Sequence, residues 1–461
     1  MILQQHYLGC LSQASYLIGD ETSGRAVVVD PLRDIDQYID AAAADNLAIE
    51  AVINTHIHAD FVAGHLELAA ATGAWIGYGE RAQTEYPIRT LVDGEHLRLG
   101  QVDLEVLATP GHTPESISLV VREHADDDVP SAVLTGDCLF IGDVGRVDLQ
   151  ASPGEEMLAL AGEQYESVHQ RLLSLPDQTR VFPAHGAGSA CGRNLSSETQ
   201  STIGQQRAVN YACQPMSKEE FVRLITEGQA SPPRYFALAA SLNRQQHPLL
   251  GQTASSMDAA TFQAARRAGA RVIDTRAPED FAAGHLAGAV NIPIDGRFAE
   301  TAGMFLDYQH DDVVVVAEDD RSDEVVTRLG RVGFDRVLGA LASGPSELGR
   351  FDESLEQASR LEPTAVADRL AGEDPPTILD VRGPGERADG YIPGSMSIPL
   401  PELVGRVQDV PAGEVVVHCA SGWRSSVAAS YLRREGRGKV SDLLGGFQAW
   451  QSQQPDAAVT A

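Results

Sequence analysis

The chain is 461 residues long and 43% of them are apolar, enough for ordinary cores and, at roughly 150 residues each, for about three domains. Acidic residues outnumber basic ones 65 to 35, a net charge of −30, which argues against nucleic acid or an anionic membrane as a partner. Five cysteines with no paired spacing argue against a disulfide framework and for a reducing compartment.

In the first 245 residues an apolar strand four times delivers a histidine or an aspartate at its end. Residues 51–55 read as a strand, followed by His56-Ile57-His58-Ala59-Asp60-Phe61 and a helix over 62–72. The strand 104–108 runs into Thr109-Pro110-Gly111-His112-Thr113, the strand 132–135 into Gly136-Asp137, and 180–184 into His185-Gly186. Loops on one edge of a β-sandwich can bring such side chains to a single metal ion. A lone His-x-His is more often a hydrogen-bonded surface or core pair, but four strand ends in this order favour a metal site.

This order resembles the metallo-β-lactamase superfamily over residues 1–245, which implies an α+β domain layered as an αββα sandwich. Dinuclear zinc hydrolases of that superfamily carry His-x-His-x-Asp-His, and the last histidine serves the second metal; here that position is Phe61, which cannot coordinate. His56, His112 and Asp137 remain, two histidines and a carboxylate of the kind preferred by non-haem Fe(II) oxygenases. Zinc accepts the same donors, so residue type leaves the metal open. Leu139-Phe140-Ile141-Gly142-Asp143-Val144-Gly145-Arg146-Val147-Asp148 resembles the persulfide dioxygenase branch. That resemblance implies one Fe(II) per chain on His56, His112 and Asp137, with zinc ranked second, and His58, Asp60 and His185 as supporting groups. Arg146 and Asp148 are read as fixing the iron loop, against the alternative of a surface ion pair of little worth. Cys191, in the glycine-rich stretch after His185, is weighed as a catalytic sulfur relay at the iron mouth against an ordinary loop thiol. Cys138 is read as packing, and so is His65.

The second half contains a repeat. Asp274, Gly284, Gly288, Pro293 and Gly339 recur as Asp380, Gly390, Gly394, Pro399 and Gly445, 106 positions later (380 − 274, 394 − 288, 445 − 339). In the later copy an apolar strand, 415–417, leads into His418-Cys419-Ala420-Ser421-Gly422-Trp423-Arg424-Ser425 and a helix over 425–434. The amides of that tight loop and the helix N-terminus point at the sulfur, and Arg424 adds a positive charge. Such surroundings stabilise a thiolate or a persulfide. Trp423 either shapes an acceptor pocket or covers the loop. With Asp380-Val381-Arg382, Gly390-Tyr391-Ile392-Pro393-Gly394 and Gly445-Gly446-Phe447, residues 360–456 resemble the rhodanese sulfurtransferases. That implies a doubly wound α/β domain in which Cys419 carries a sulfane sulfur. A phosphatase-like oxyanion cradle is the lower-ranked alternative. In the earlier copy, 252–350, the strand 313–316 is followed by Ala317-Glu318-Asp319-Asp320-Arg321-Ser322. That loop lacks cysteine, reads two residues shorter and carries three acids, so this copy is read as a catalytically dead homologue.

The whole order resembles bacterial fusions of a persulfide dioxygenase with an inactive and an active rhodanese domain. The resemblance implies a bifunctional enzyme of sulfide detoxification. A low-molecular-weight thiol persulfide and O2 give sulfite and thiol, and Cys419 exchanges sulfane sulfur between sulfite and thiosulfate in either direction. It also implies a homo-oligomer. Two rivals stay open: a zinc thioester hydrolase of the glyoxalase II kind fused to a sulfurtransferase, and a sulfur-carrier scaffold without catalysis. The N-terminal residues lack a basic segment before an apolar one, and no stretch is long enough to span a bilayer; the expectation is a cytoplasmic protein.

Overall fold

The computed structural model of the chain describes residues 1–149, 154–193, 195–229, 232–251, 253–318, 320–342, 344–351 and 355–453. Asp319, one of the three acids of the cysteine-less loop, lies outside them. The chain divides into two compact units: residues 1–250 with 330–333, and residues 251–329 with 334–461.

In the first unit, strands Ile2–Leu8, Gln13–Asp20, Arg25–Val29, Ala48–Ile53, Trp75–Gly79 and Arg89–Leu91 (β1–β6) form one mixed sheet in chain order. His96–Leu99, Val102–Ala108, Ile117–Arg122, Ala132–Gly136, Arg180–Pro183 and Ser201–Thr202 (β7–β12) form the other, also mixed. Alternation of side chains along a strand divides each sheet between two cores. Tyr16, Ile18, Val27, Val29 and Ile53 meet Leu104, Val106, Leu119 and Leu134 between the sheets. Leu17, Val28 and Val52 face outward, under Tyr38 of helix Asp36–Ala44 and Leu68 of helix His65–Thr72. On the far side Val120, Val133 and Val181 meet Leu160 of helix Glu155–Glu166 and Phe221 of helix Lys218–Thr226. The layers are therefore helix, sheet, sheet, helix. The expected helix over 62–72 begins only at His65, after a loop over 54–64.

The second unit holds two five-stranded parallel sheets. Ser256–Met257, Arg271–Asp274, Val290–Asn291, Val313–Val316 and Val337–Leu341 (β13–β17) lie in the order β13-β17-β16-β14-β15. Ser359–Leu361, Thr377–Asp380, Met396–Ser397, Val415–His418 and Val440–Leu443 (β18–β22) repeat it as β18-β22-β21-β19-β20. One apolar core runs through both copies, joining Ile273, Val290, Phe305 and Val315 to Leu379, Val417, Val427 and Tyr431.

Register corrects the sequence reading at two points. Asp274 pairs with Val316 as Asp380 pairs with His418, so Ala317 stands where Cys419 stands, 102 rather than 106 positions earlier (419 − 317). Gly339 is paired inside β17 with Val314 and is not the counterpart of Gly445. The loop after Val316 is also not shorter: five residues separate Val316 from the helix Ser322–Arg331, and four separate His418 from the helix Trp423–Arg434. A four-residue difference earlier in the repeats hides this from a fixed-offset comparison.

Candidate functional site

β4, β8, β10 and β11 each end in a loop that carries a polar side chain to one edge of the sandwich. A donor oxygen or nitrogen of His56, His112 and Asp137 lies within 4.8 Å of each of the others, and all three residues are buried. Nε2 of His56 is 3.8 Å and Nε2 of His112 3.5 Å from Oδ2 of Asp137. His56 Nε2 and Asp137 Oδ2 have no hydrogen-bond partner although buried, a costly state for such atoms unless something else binds them. Two imidazole nitrogens and a carboxylate oxygen gathered at one point, each able to give a lone pair, fit a divalent transition metal.

The back of each imidazole fixes which nitrogen faces that point. Nδ1 of His112 donates to the Arg146 carbonyl at 2.6 Å, which leaves Nε2 as the acceptor. The Thr55 hydroxyl donates to Asp30 Oδ2 at 2.8 Å and accepts from Nδ1 of His56 at 3.0 Å. Asp30 Oδ1 also accepts from the Thr55 amide at 2.7 Å and from Nε2 of His58 at 2.9 Å. Asp30, at the end of β3 and with a positive φ of 51°, thus organises both histidines of the His-x-His pair. It escaped the sequence reading, although it is a fifth polar residue after an apolar strand.

The buried loop 54–64 needs partners for its backbone. Glu115 accepts from the Ile57 amide, and Asn243 accepts from Ala63 and donates to the carbonyls of His58 and Phe61. No spacing links Asn243 to this loop in the sequence. On the other side Gln164 accepts from the His112 amide and donates to the Cys138 carbonyl, tying two of the loops together. Gly145 packs so closely on the Asp137 carbonyl and His112 that a side chain would collide there.

His185 bridges two carboxylates: Nδ1 donates to Asp137 Oδ1 at 2.7 Å, and Nε2 lies 2.7 Å from Asp60 Oδ2. Burial opposes charge on His185, but Asp137 and Asp60 outweigh it and hold its pKa well above the ordinary value. Burial likewise works against the Asp137 carboxylate, and the neighbouring histidines overcome it and hold it ionised. Burial, with His58 beside it, keeps His56 neutral. The fully buried Phe61 ring lies 4.4 Å from that of His58.

Arg146 is 3% exposed and grips Asp148 through two bonds of 2.7 and 2.8 Å. Its main-chain amide donates to the Cys191 carbonyl and its carbonyl accepts from His112, while Asp148 is about a quarter exposed. Cys191 lies within ligand reach of Asp60 and His185, near the metal site. The thiol is buried, and burial together with the carboxylates of Asp60 and Asp137 pushes its pKa well up, which disfavours a free thiolate there. Cys138 and His65 are buried packing residues as expected. All five cysteines are free.

In the second unit the Gly422 amide donates to Cys419 Sγ at 3.1 Å, and the Ser425 hydroxyl lies 3.8 Å from it. Cys419 is buried. Arg424 does not present a bare charge: its guanidinium makes bonds of 2.7 and 2.6 Å to Glu386, a partner the sequence reading missed. Pairing with Arg424 lowers the Glu386 pKa, while burial opposes the shift. The loop carbonyls are held from behind: Cys419 O accepts from the Phe447 amide and Ala420 O from Gln448. A side chain on Gly446, whose φ is +61°, would strike both carbonyls, which is why two glycines precede Phe447. Ser421 lies exposed on the loop, and the Trp423 indole donates to the Asp295 carbonyl at 2.7 Å. Asp380 and Arg382 are structural: Arg382 clamps Asp380 and the Gly390 carbonyl and lies 4.1 Å over the Phe447 ring. Arg276, Asp274 and Gly284 repeat that clamp in the earlier, cysteine-less copy.

Comparison with known proteins agrees with this architecture. The model of the metallo-beta-lactamase superfamily matches residues 8–185, and that of the rhodanese-like domain matches 258–344 and 362–453. A persulfide dioxygenase ETHE1, mitochondrial, of Bos taurus is 30% identical over 234 residues, 50% of this chain and 82% of that protein. A hydroxyacylglutathione hydrolase of Rhodospirillum rubrum is 33% identical over 186 residues, 40% of this chain and 66% of that protein. The crystal structure of a metallo-beta-lactamase from Staphylococcus aureus subsp. aureus COL matches with a TM-score of 0.67 at 30% identity, over 74% of this chain and 98% of that one. The chain belongs to the metallo-β-lactamase superfamily, with rhodanese-like domains following in the same polypeptide. Within that superfamily its first unit is related to the ETHE1 persulfide dioxygenases.

Proposed function

We propose that the chain oxidises a low-molecular-weight thiol persulfide with O2 at an Fe(II) site and passes sulfane sulfur through Cys419. The observation that carries the first half is the donor set. Donor atoms of His56, His112 and Asp137 gather at one point, those of His56 and Asp137 without another partner, while a buried phenylalanine stands beside His58. The overall change is R–S–SH + O2 + H2O → R–SH + SO3²⁻ + 2 H⁺. Bound Fe(II) supplies the one-electron chemistry that lets O2 react with a sulfur anion. Asp137 offsets the positive charge, Asp30 and Arg146 hold His56 and His112 in the accepting tautomer, and His185 keeps Asp137 ionised and oriented. Phe61 and Phe140, whose ring lies 6.3 Å from that of His185, limit water beside the carboxylates.

For the second half, sulfite attacks the outer sulfur of a Cys419 persulfide. The S–S bond of the persulfide breaks, its electron pair stays on Sγ where the Gly422 amide receives it, and a new S–S bond completes thiosulfate. The reverse reaction uses the same contacts. One chain carrying both sites keeps sulfite and persulfide at high effective concentration.

Oxygen uptake with several thiol persulfides tests the reading. His112→Ala is expected to abolish uptake, and Cys419→Ser to retain it while sulfite replaces thiosulfate as product. Purified protein holding two zinc ions per chain and cleaving thioesters without consuming O2 would establish the hydrolase reading instead.

A further inference from the structure

We infer that the cysteine-less rhodanese-like copy is a positioning element for the sulfur-transfer loop, acting through Asn291 and the 294–296 turn on the helix Trp423–Arg434. The inference rests on Cys419 being the transfer site. The N-terminus of that helix and the loop before it supply the amide on Cys419 Sγ, so the orientation of the helix sets the orientation of the sulfur's surroundings. One face of the helix, at positions 423, 426, 427, 430 and 431, is occupied by the dead copy. Ser426 donates to Asn291 Oδ1 at 2.6 Å, the Asn291 amide donates to Ser430 Oγ at 3.0 Å, and the Trp423 indole donates to Asp295 O. Val427 joins the shared core, and the Tyr431 ring lies 4.8 Å from Phe305.

The anchor is rigid. Asn291 is fully buried, and its Nδ2 donates to the carbonyls of Asp274 and Arg276 at 3.1 and 2.9 Å, so both ends of its amide are committed. Arg328 donates to the carbonyls of Ile294 and Gly296 at 2.6 and 2.7 Å, fixing the turn that offers the Asp295 carbonyl. Gly296 has φ +113°, and a Cβ there would sit 3.3 Å from the indole nitrogen, so the indole rests directly on backbone. Two bonds one helical turn apart and a third at the first residue hold a stiff rod at its loop end. Ala317 stands where Cys419 does, yet the face that meets the active helix keeps Asn291 buried with its side-chain amide fully bonded. That arrangement specifies one docking geometry where apolar packing alone would tolerate several.

The test uses the full chain, loaded with sulfane sulfur from thiosulfate and then mixed with cyanide. The first-order discharge constant per loaded Cys419 is measured, a quantity independent of how many molecules are folded. Asn291→Ala and Trp423→Phe are each expected to lower it about tenfold, while oxygen uptake with a thiol persulfide stays at the parent level. A constant within twofold of the parent in Asn291→Ala overturns the inference, as does a fall confined to Trp423→Phe, which would be local to the loop. Should Asn291→Ala fail to fold, Ser426→Ala removes the same bond from the other side and is judged by the same criterion. Parent protein that never loads sulfane sulfur refutes the transfer reading itself, a separate outcome.

Discussion

Asp30→Asn is the sharpest perturbation of the metal site, because it keeps shape and reverses hydrogen-bond polarity. The carboxylate accepts three bonds, from the Thr55 amide, the Thr55 hydroxyl and His58. An asparagine oxygen can keep two of them, but its NH2 then faces the Thr55 hydroxyl and donates to it. The hydroxyl must turn its proton to Nδ1 of His56, the hydrogen moves to Nε2, and the nitrogen facing the metal point loses its lone pair. If the amide is turned over, its NH2 meets the Thr55 N–H instead, which is also unfavourable. Asparagine tolerates the left-handed backbone of this position, so main-chain damage does not confuse the result. Loss of such a supporting partner costs about 10–100-fold in metal affinity, or about 1.4–2.8 kcal/mol. Competition with a calibrated chelator measures it, and Thr55→Val, which cuts the relay, should weaken affinity as well. Affinity within twofold of the parent in both variants would refute the relay.

Phe61→His returns a ligand beside His58, Asp60 and His185, so zinc content after reconstitution should rise from about one to about two per chain; a value that stays at about one would show that the ring does not block a second ion. Gly446→Ala puts a Cβ against the carbonyls of Cys419 and Ala420 and forces alanine to φ near +61°, at about 1–2 kcal/mol before the clash. Sulfur transfer should fall at least about tenfold with oxygen uptake unchanged, and normal transfer would contradict the account of the glycine pair. Acid should weaken the second unit. Burial lowers the pKa of His418 from 6.5 to about 4, against attraction by Asp380, and burial likewise lowers His285 to about 4. The unfolded chain then binds protons the folded one refuses, so stability present above pH 6.5 is lost as the pH falls toward 4, by about 3 kcal/mol for His418. Denaturant unfolding of His418→Gln should show a shallower acid slope than the parent, and an equal slope would discount this histidine.

Much of the site was legible because metal and sulfur chemistry need residue types that periodicity does not explain. Strand ends carrying His56, His112, Asp137 and His185, and a cysteine between an apolar strand and a helix, stand out in one dimension. Phe61 reads as the absence of a ligand for the same reason. The doubly wound repeat is visible too, since Asp274-x-Arg276 and Asp380-x-Arg382 perform the same clamp in each copy. A fixed offset nevertheless paired the wrong glycines, because register in a parallel sheet follows hydrogen bonds and not sequence distance.

What sequence spacing could not supply is the set of partners that come from far along the chain. Asp30, Asn243 and Gln164 satisfy the backs of the metal loops, Glu386 answers Arg424, and Asp60 and His185 come within ligand reach of Cys191. Local composition determined which side chains carry the chemistry, because reactivity belongs to residue type. Folding alone decided which tautomer, charge and orientation each one holds, because those depend on neighbours and on removal from water, and both arise only when distant segments pack.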